Sequence, residues 1–428
     1  MALLDGVLAA EAAPKEQRAE LAERFGVERF LDGGRRNEAA VALMEACVAA
    51  PSIRPYSATA AFLERHAAGC VRHAEQCRET ASRLVALAEH WVSQRLWSLN
   101  RVPELVLHDD RHVENVDRLA IQLAGPVFER QCRIKHAHGP AIEDLATLSM
   151  AAWLHDWGQI GCRLRDRVVR DPLDVRDLHG PITQELICDS RLRPLHHLER
   201  EEGQQVGLLC GHHQGWTSIG NDVPDGRAAV TYEDYFGTEP PSFKDDPCLG
   251  GWEIDRAQML TGLLRVADAA DVGQHRIPDV EAHEALLGWR FDELINDVEQ
   301  LKNGTNTARN LARRRLQDRS PLLATVESDP AAAVHSMSRW VERTKEGSYH
   351  YQRHRAVKRV DFVTIEQSGS LRALPTVAPT TEEVAPLAIK AVSDFVAAEL
   401  AHTDRSYGTV RQILGGRGLW IEREAVLQ

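Results

Sequence analysis

Aliphatic residues recur at helical spacing through Asn37 to Val48, Ala58 to Ser98, Val113 to Leu123, Ile142 to Leu154 and Gln258 to Ala270, and alternating patterns are scarce there. A chain patterned this way hides its apolar stripes by laying helix against helix, so the first two-thirds is predicted to be helical. Thr59 to Trp97 reads as one or two long helices with Trp91 and Trp97 on packed faces. The pattern changes at Ala356. Val357, Val360, Phe362 and Ile365 approach strand alternation, Ser368-Gly369-Ser370 reads as a turn before Leu371 to Val377, and a helix follows from Thr381 to Leu400. The expected organisation is a helical N-terminal extension over 1–101, a main helical domain over 102–350 and a small α+β region over 351–428. Within the main domain, 214–255 is an insertion, irregular where Gly, Pro, Asp and Ser concentrate from Asn221 to Gly251.

Charge narrows the partners. Across 428 residues, 51 basic and 63 acidic side chains give a formal net charge of -12, which disfavours broad binding to nucleic-acid backbones or anionic membranes. A small anionic substrate is compatible if local cations or metals offset that field, and a short oligonucleotide fits better than an extended nucleic acid. Charges interrupt the apolar stretches, and Asp5 and Glu11 break up the N-terminal segment, so the expectation is a cytoplasmic protein without signal peptide or membrane span. The eight cysteines form no CxxC pair and read as reduced, mostly buried small hydrophobes.

The 19 histidines cluster in ways that packing does not require. Five segments carry His or Asp in settings a metal centre uses: His108-Asp109-x-x-His112, His155-Asp156-Trp157-Gly158, His179-Gly180-Pro181, His212-His213 and Val266-Ala267-Asp268. Imidazole nitrogen together with carboxylate oxygen suits iron, manganese or similar divalent ions, and no thiolate set competes. Neighbouring residues on a helix project about 100° apart, as about 3.6 residues per turn requires, so His155 and Asp156 can serve two metals with the carboxylate between them.

The order H, HD, H, HH, D resembles the HD superfamily of metal-dependent phosphohydrolases, closest to the HD-GYP-like branch. Leu154-His155-Asp156-Trp157-Gly158-Gln159-Ile160-Gly161 is similar to that branch's LHDIGKIG segment, and Arg265-Val266-Ala267-Asp268-Ala269-Ala270-Asp271 to its closing VAD-x-x-D segment. The resemblance implies a mainly α fold, an HD-domain helical bundle carrying the N-terminal extension and the α+β appendage. It also implies that His112, His155, Asp156, His179, His212, His213 and Asp268 hold two or more divalent transition metal ions, with Asp156 as the bridge. The implied reaction is hydrolysis of a phosphate ester or anhydride of a nucleotide or cyclic (di)nucleotide by metal-activated water, with Asp156 and His155 at the catalytic centre. Two positions depart from the branch: Gln159 stands where it has lysine, and no GYP follows the paired histidines. Two other readings use the same residues, a di-iron oxygenase and a non-catalytic metal-stabilised sensor whose terminal extensions bind a protein partner.

Around these, Arg163, Arg353, His350 and His354 are candidate readers of an anionic substrate, with Gln159 beside them, and Trp216 is a candidate contact for a base. His108 is a further substrate-side candidate that reads as an additional metal ligand, a support behind the ligands or part of a polar helix start, with the supporting role favoured. Asp109 and Asp110 suit a helix start, Trp153 and Trp157 core walls, His196-His197 the surface, and Arg309 to Arg315 a solvated helix face. Asp271 fits either the face of Asp268 or solvent.

Overall fold

The computed structural model describes residues 55–69, 73–94, 109–133, 141–160, 163–164, 167–169, 172–217, 219, 227–277, 300, 304–319, 353–401, 403–404 and 408–428. The expected helix at Asn37 to Val48, Trp97, His108, His350 and the side chain of Arg163 lie outside what is described. Thr59 to Trp97 divides into α1 (Ala58–Gly69) and α2 (Ala74–Gln94), with Trp91 buried as its spacing requires. Next come α3 (Asp110–Arg133) and α4 (Ile142–Leu154). Asp109 starts α3 as expected, its Oδ1 accepting from the backbone N–H of Arg111 and His112 at 3.1 and 3.2 Å.

Helix α4 is the central strut. Every residue from Asp144 to Leu154 is buried, which is the fate of a helix apolar nearly all round. Its N-terminus is held by Asp144, which accepts from Ala141 N at 2.8 Å and from the Arg256 guanidinium at 2.6 Å. Packed around it are α1, α2, α3, α8 (Arg200–Gly211) and α10 (Ile254–Ala270). Between α4 and α8 run a short pair of strands, β1 (Arg163–Leu164) and β2 (Arg167–Val168), then α5 (Pro172–Asp177), α6 (His179–Cys188) and α7 (Arg193–His196). His196 corrects the expectation of a surface pair: it is buried, its Nδ1 accepts from Leu198 N at 3.1 Å, and its ring meets Trp157 edge-on. His197 beside it is exposed and left-handed at φ 56.

The 214–255 insertion is more ordered than its composition suggests. It holds α9 (Arg227–Phe236) and two 3-10 turns, Phe243–Asp245 and Pro247–Leu249, each begun by a side-chain cap, from Ser242 and from Asp246. Farther on, α11 (Asn306–Arg319) is largely exposed along its described side chains, as expected for a solvated face. Among the described residues, no helix is long and apolar enough to cross a membrane.

The C-terminal α+β expectation holds. Strands β3 (Val357–Gln367) and β4 (Ser370–Pro379) form an antiparallel hairpin with Gln367 opposite Ser370. Ser368 and Gly369 both have positive φ, 52 and 77, the two-residue turn whose twist matches a hairpin. A register shift after Val357 puts Val360 and Phe362 on its buried side; Ile365 falls instead on the exposed face with Val363. Helix α12 (Ala385–Ala401) lies between β4 and α10. Beyond it come β5 (Thr403–Asp404), β6 (Gly408–Thr409) and α13 (Val410–Gly416), and the chain returns as β7 (Leu419–Ile421) and β8 (Val426–Leu427), both parallel to β4. The free edge of β3 docks on α3: Gln122 Oε1 accepts from Phe362 N at 2.8 Å, and Arg118 donates to Val360 O at 2.9 Å. That contact covers an otherwise open strand edge.

Substituting Gln122→Ala leaves the Phe362 N–H without this acceptor and should lower stability by about 1–2 kcal/mol, read as a fall in the thermal unfolding midpoint. An unchanged midpoint would mean that the edge contact contributes nothing.

Candidate metal centre

The central strut delivers its histidine at its end. Helix α4 stops at Leu154, and His155, still helical at φ -56 and ψ -33, donates its backbone N–H to Ala151 O at 2.8 Å. Asp156 then turns the chain into a 3-10 segment, Trp157–Ile160. Trp153 and Trp157 are buried walls, as their placement suggested. The turn is clamped to the start of α6: Thr183 Oγ1 accepts from Gly158 N at 2.7 Å and sits 2.8 Å from both the His155 and His179 carbonyl oxygens. A Cβ on Gly158 would lie 2.1 Å from His179 O. Glycine is therefore required here by the close approach of two backbones that each carry a ligand residue.

Four donor atoms converge at one position. His112 Nε2 lies 3.1 Å from His155 Nε2, 3.1 Å from Asp156 Oδ2 and 3.2 Å from Asp268 Oδ1. His155 Nε2 lies 3.2 Å from Asp156 Oδ2 and 3.5 Å from Asp268 Oδ1. These separations match the ligand-to-ligand edges of about 3–3.5 Å that follow from metal–N and metal–O bonds of about 2.0–2.2 Å. A second group faces the other oxygen of the same carboxylate: His179 Nε2 is 3.0 Å from Asp156 Oδ1 and 3.0 Å from His213 Nε2. Asp156 thus presents Oδ2 to one set and Oδ1 to the other. The donor chemistry of these clustered side chains fits divalent metal ions.

The rings are aimed by their other nitrogens. His155 Nδ1 is 2.9 Å from Ala152 O, His179 Nδ1 2.5 Å from Arg176 O and His213 Nδ1 2.6 Å from Cys210 O, each a carbonyl three residues earlier. With the hydrogen on Nδ1, Nε2 is left as the lone-pair donor that a metal needs. His112 uses a carboxylate instead: its Nδ1 is 2.7 Å from Asp271 Oδ2, an oxygen that also receives His275 at 3.2 Å. Asp271 is buried, so the choice left open by its sequence falls on the ligand side.

The electrostatics of these side chains favour positive charge among them. Burial and Arg276 push His112 down, yet Asp156, Asp268 and Asp271 outweigh them and raise it to about 9. Burial works against His155 too, and Asp156 and Asp268 raise it to about 10. Burial would raise Asp268 and Asp271, but the neighbouring histidines hold both well below the ordinary carboxylate range. Two Nε2 atoms 3.1 Å apart cannot both carry hydrogen, so one proton at a time can occupy the position that a cation would take. At the second position, burial followed by His179 and His155 lowers His213 to about 3, leaving a neutral ligand.

Six of the seven expected ligands are brought together: His112, His155, Asp156, His179, His213 and Asp268. His212 stands apart from them. Its Nε2 lies 3.1 Å from Asp246 Oδ2 and its ring packs edge-on against Phe243, because adjacent residues leaving α8 diverge and only His213 turns inward. Asp246 is itself held by Gln184 Nε2 at 2.8 Å. Gln159 donates to Asp156 Oδ1 at 2.8 Å, so the residue in the lysine position steadies the shared carboxylate without adding charge. Trp216 and His354 border the cavity above the ligands. Arg353 does not: its guanidinium pairs with Asp394 at 2.8 Å and lies over the Phe395 ring.

Sequence reasoning missed Arg176, Gln214, Arg276 and Phe395, which also border that cavity. It missed Glu399 on α12 as well, whose carboxylate abuts Gly215 and is raised to about 7 by burial, with Arg265 opposing and Asp268 reinforcing the shift. Only Arg176, three residues before His179, had a local signal, the same spacing that anchors the other rings.

Two outcomes are expected on adding Mn(II) to metal-free protein. Calorimetry should resolve a tighter and a weaker site, with the tighter one releasing a proton and gaining affinity as pH rises toward 9, because a raised histidine stays protonated below its pKa and competes with the ion. Asp271→Ala should weaken that tighter site by about 10–100-fold, and equal affinity in this variant would remove Asp271 from the centre. Separately, Gly158→Ala should cost both folding stability and metal content, measured by thermal unfolding and elemental analysis.

No curated protein and no solved structure matches the chain. A family model described as HD-CE, an HD-type domain, matches residues 102–402. The match bears out the HD reading of the motifs and the mainly α architecture, and it lends nothing to the HD-GYP-like branch. It also runs from the helical bundle past the expected boundary at 350 into α12, the helix that packs on α10. On that match, and on the clustered His and Asp side chains at the end of its central helix, the chain belongs to the HD-CE family.

Proposed function

We propose that the protein is a metal-dependent phosphohydrolase that cleaves a phosphate ester or anhydride of a nucleotide or cyclic nucleotide. The observation that carries this reading is the two-sided use of Asp156, with Oδ2 3.1 Å from His112 and Oδ1 3.0 Å from His179. A single carboxylate shared by two donor sets is what two adjacent divalent ions require. When bound, such ions supply Lewis acidity, polarising phosphoryl oxygens and lowering the pKa of a water between them.

The chain's own residues do the rest. His155, His179 and His213 each set Nδ1 against a backbone carbonyl, which turns Nε2 toward the centre. Asp271 compensates charge gathering at His112. Gln159 keeps the Asp156 carboxylate in place. Arg176 and Arg276 border the cavity over the ligands and offset the charge of a phosphate, which the overall charge of -12 would otherwise repel.

The test is turnover by the Mn(II)- or Fe(II)-loaded chain across nucleoside monophosphates, diphosphates and triphosphates, cyclic mononucleotides, cyclic dinucleotides and short oligonucleotides. Asp156→Asn should reduce kcat by at least about 1,000-fold, since it removes charge shared by both metal positions. Silence across the panel, with the variant indistinguishable from the parent, would defeat the proposal. Oxygen consumption with an organic substrate would point to the di-iron oxygenase instead.

A further inference from the structure

Asp156, His179, His213 and Asp268 line a cavity of about 240 Å³. Among the described residues, its wall joins parts of the chain far apart in sequence: Arg176 from α5, Arg276 from the turn after α10, His354 just ahead of β3 and Phe395 from α12. The two arginines mark opposite ends of the ligand set. Arg176 belongs to the His179 end, where its own carbonyl oxygen receives the ligand ring. Arg276 belongs to the His112 end, donating to Asp271 O at 3.2 Å and bearing electrostatically on His112.

At the Arg276 end the wall forms a corner. Gly273 N donates to His354 Nδ1 at 3.1 Å, which ties the start of the C-terminal unit to the turn that carries Arg276. An Nδ1 that accepts a hydrogen bond bears no hydrogen, so the His354 hydrogen lies on Nε2. Phe395 stands beside it, ring centres 6.3 Å apart. A cation, a neutral N–H donor and an aromatic face thus meet within one cavity, next to the metal position with the fuller ligand set.

A scissile phosphate held by two metals does not need this corner. We infer that the corner binds a second anionic group of the substrate, so that the preferred ligand is a nucleotide with a phosphate beyond the one at the metals, its uncharged part lying against Phe395 and Trp216. The inference rests on the phosphohydrolase reading and narrows its substrate class. Size agrees: the cavity, at about 240 Å³, falls below the roughly 300–1,000 Å³ of pockets that enclose drug-sized ligands, which suits part of a nucleotide. Arginine and a histidine N–H are also the groups that discriminate a terminal phosphate from a neutral ester.

The experiment measures binding, so that it does not depend on turnover. The full chain loaded with Mn(II) is titrated calorimetrically with adenosine 5′-(α,β-methylene)diphosphate and, separately, with adenosine 5′-monophosphate. The diphosphate analogue should bind at least tenfold more tightly, and the ratio should fall below threefold in the Arg276→Gln/His354→Gln double variant. Equal affinities in the parent chain, no binding of either nucleotide, or a ratio that survives the double substitution would each overturn the inference. Because Arg276 also donates to the Asp271 carbonyl, the His354→Gln single variant is read against the same ratio should the double variant not fold; there the ratio should at least halve, and an unchanged ratio would overturn the inference too. If the panel shows phosphoester turnover while the affinity ratio is absent, only the corner's role falls. Metal-loaded protein that neither turns over the panel nor binds either nucleotide loses both readings.

Discussion

The structure depends on one carboxylate. Asp156 follows the last turn of a helix buried on nearly every side, and its two oxygens face two different sets of donors, 3.1 Å from His112 on one side and 3.0 Å from His179 on the other. Four acceptor-rich groups would repel one another at such spacings in a dry interior unless positive charge lay among them. The raised histidines and depressed aspartates express the same imbalance, a donor set that favours positive charge among its members. The surrounding helices α1, α2, α3, α8 and α10 keep α4 rigid, and rigidity holds the shared oxygens in place.

Aim comes from short-range backbone contacts. Three imidazoles each bond a carbonyl three residues earlier, so the direction of the ring follows from the local turn that carries it. His112 lacks that local partner and relies on Asp271, which lies on the far side of the chain's central insertion. Gly158 and Thr183 then bind the two ligand-bearing segments to each other at backbone contact.

The C-terminal unit is more than an appendage in this arrangement. Its helix α12 is wedged between the sheet and α10, its outer strand is capped by Arg118 and Gln122 of α3, and His354 and Phe395 reach the cavity over the ligands. The family match crosses into the same unit, ending at residue 402. Its position makes the cavity wall a joint property of the helical bundle and the α+β region.

Much of this was legible in the order of residues. Helical periodicity marked α3, α4 and α10, the Ser368-Gly369 pair marked the hairpin, and the series from His112 to Asp268 named six residues that do converge, because ligand chemistry restricts residue type and motif order preserves spacing. Sequence could not decide which of two adjacent histidines turns inward; His212 took Asp246 and His213 the centre, a matter of where α8 ends against its neighbours. Nor could it tell that Asp271 is buried under His112, that His196 is enclosed beside Trp157, or that Arg276, His354 and Phe395 share one cavity. Residue chemistry and helical period are local properties, written in the chain itself. Which side chains face one another across 159 residues, as His112 and Asp271 do, is settled only when helices pack and exclude water between them.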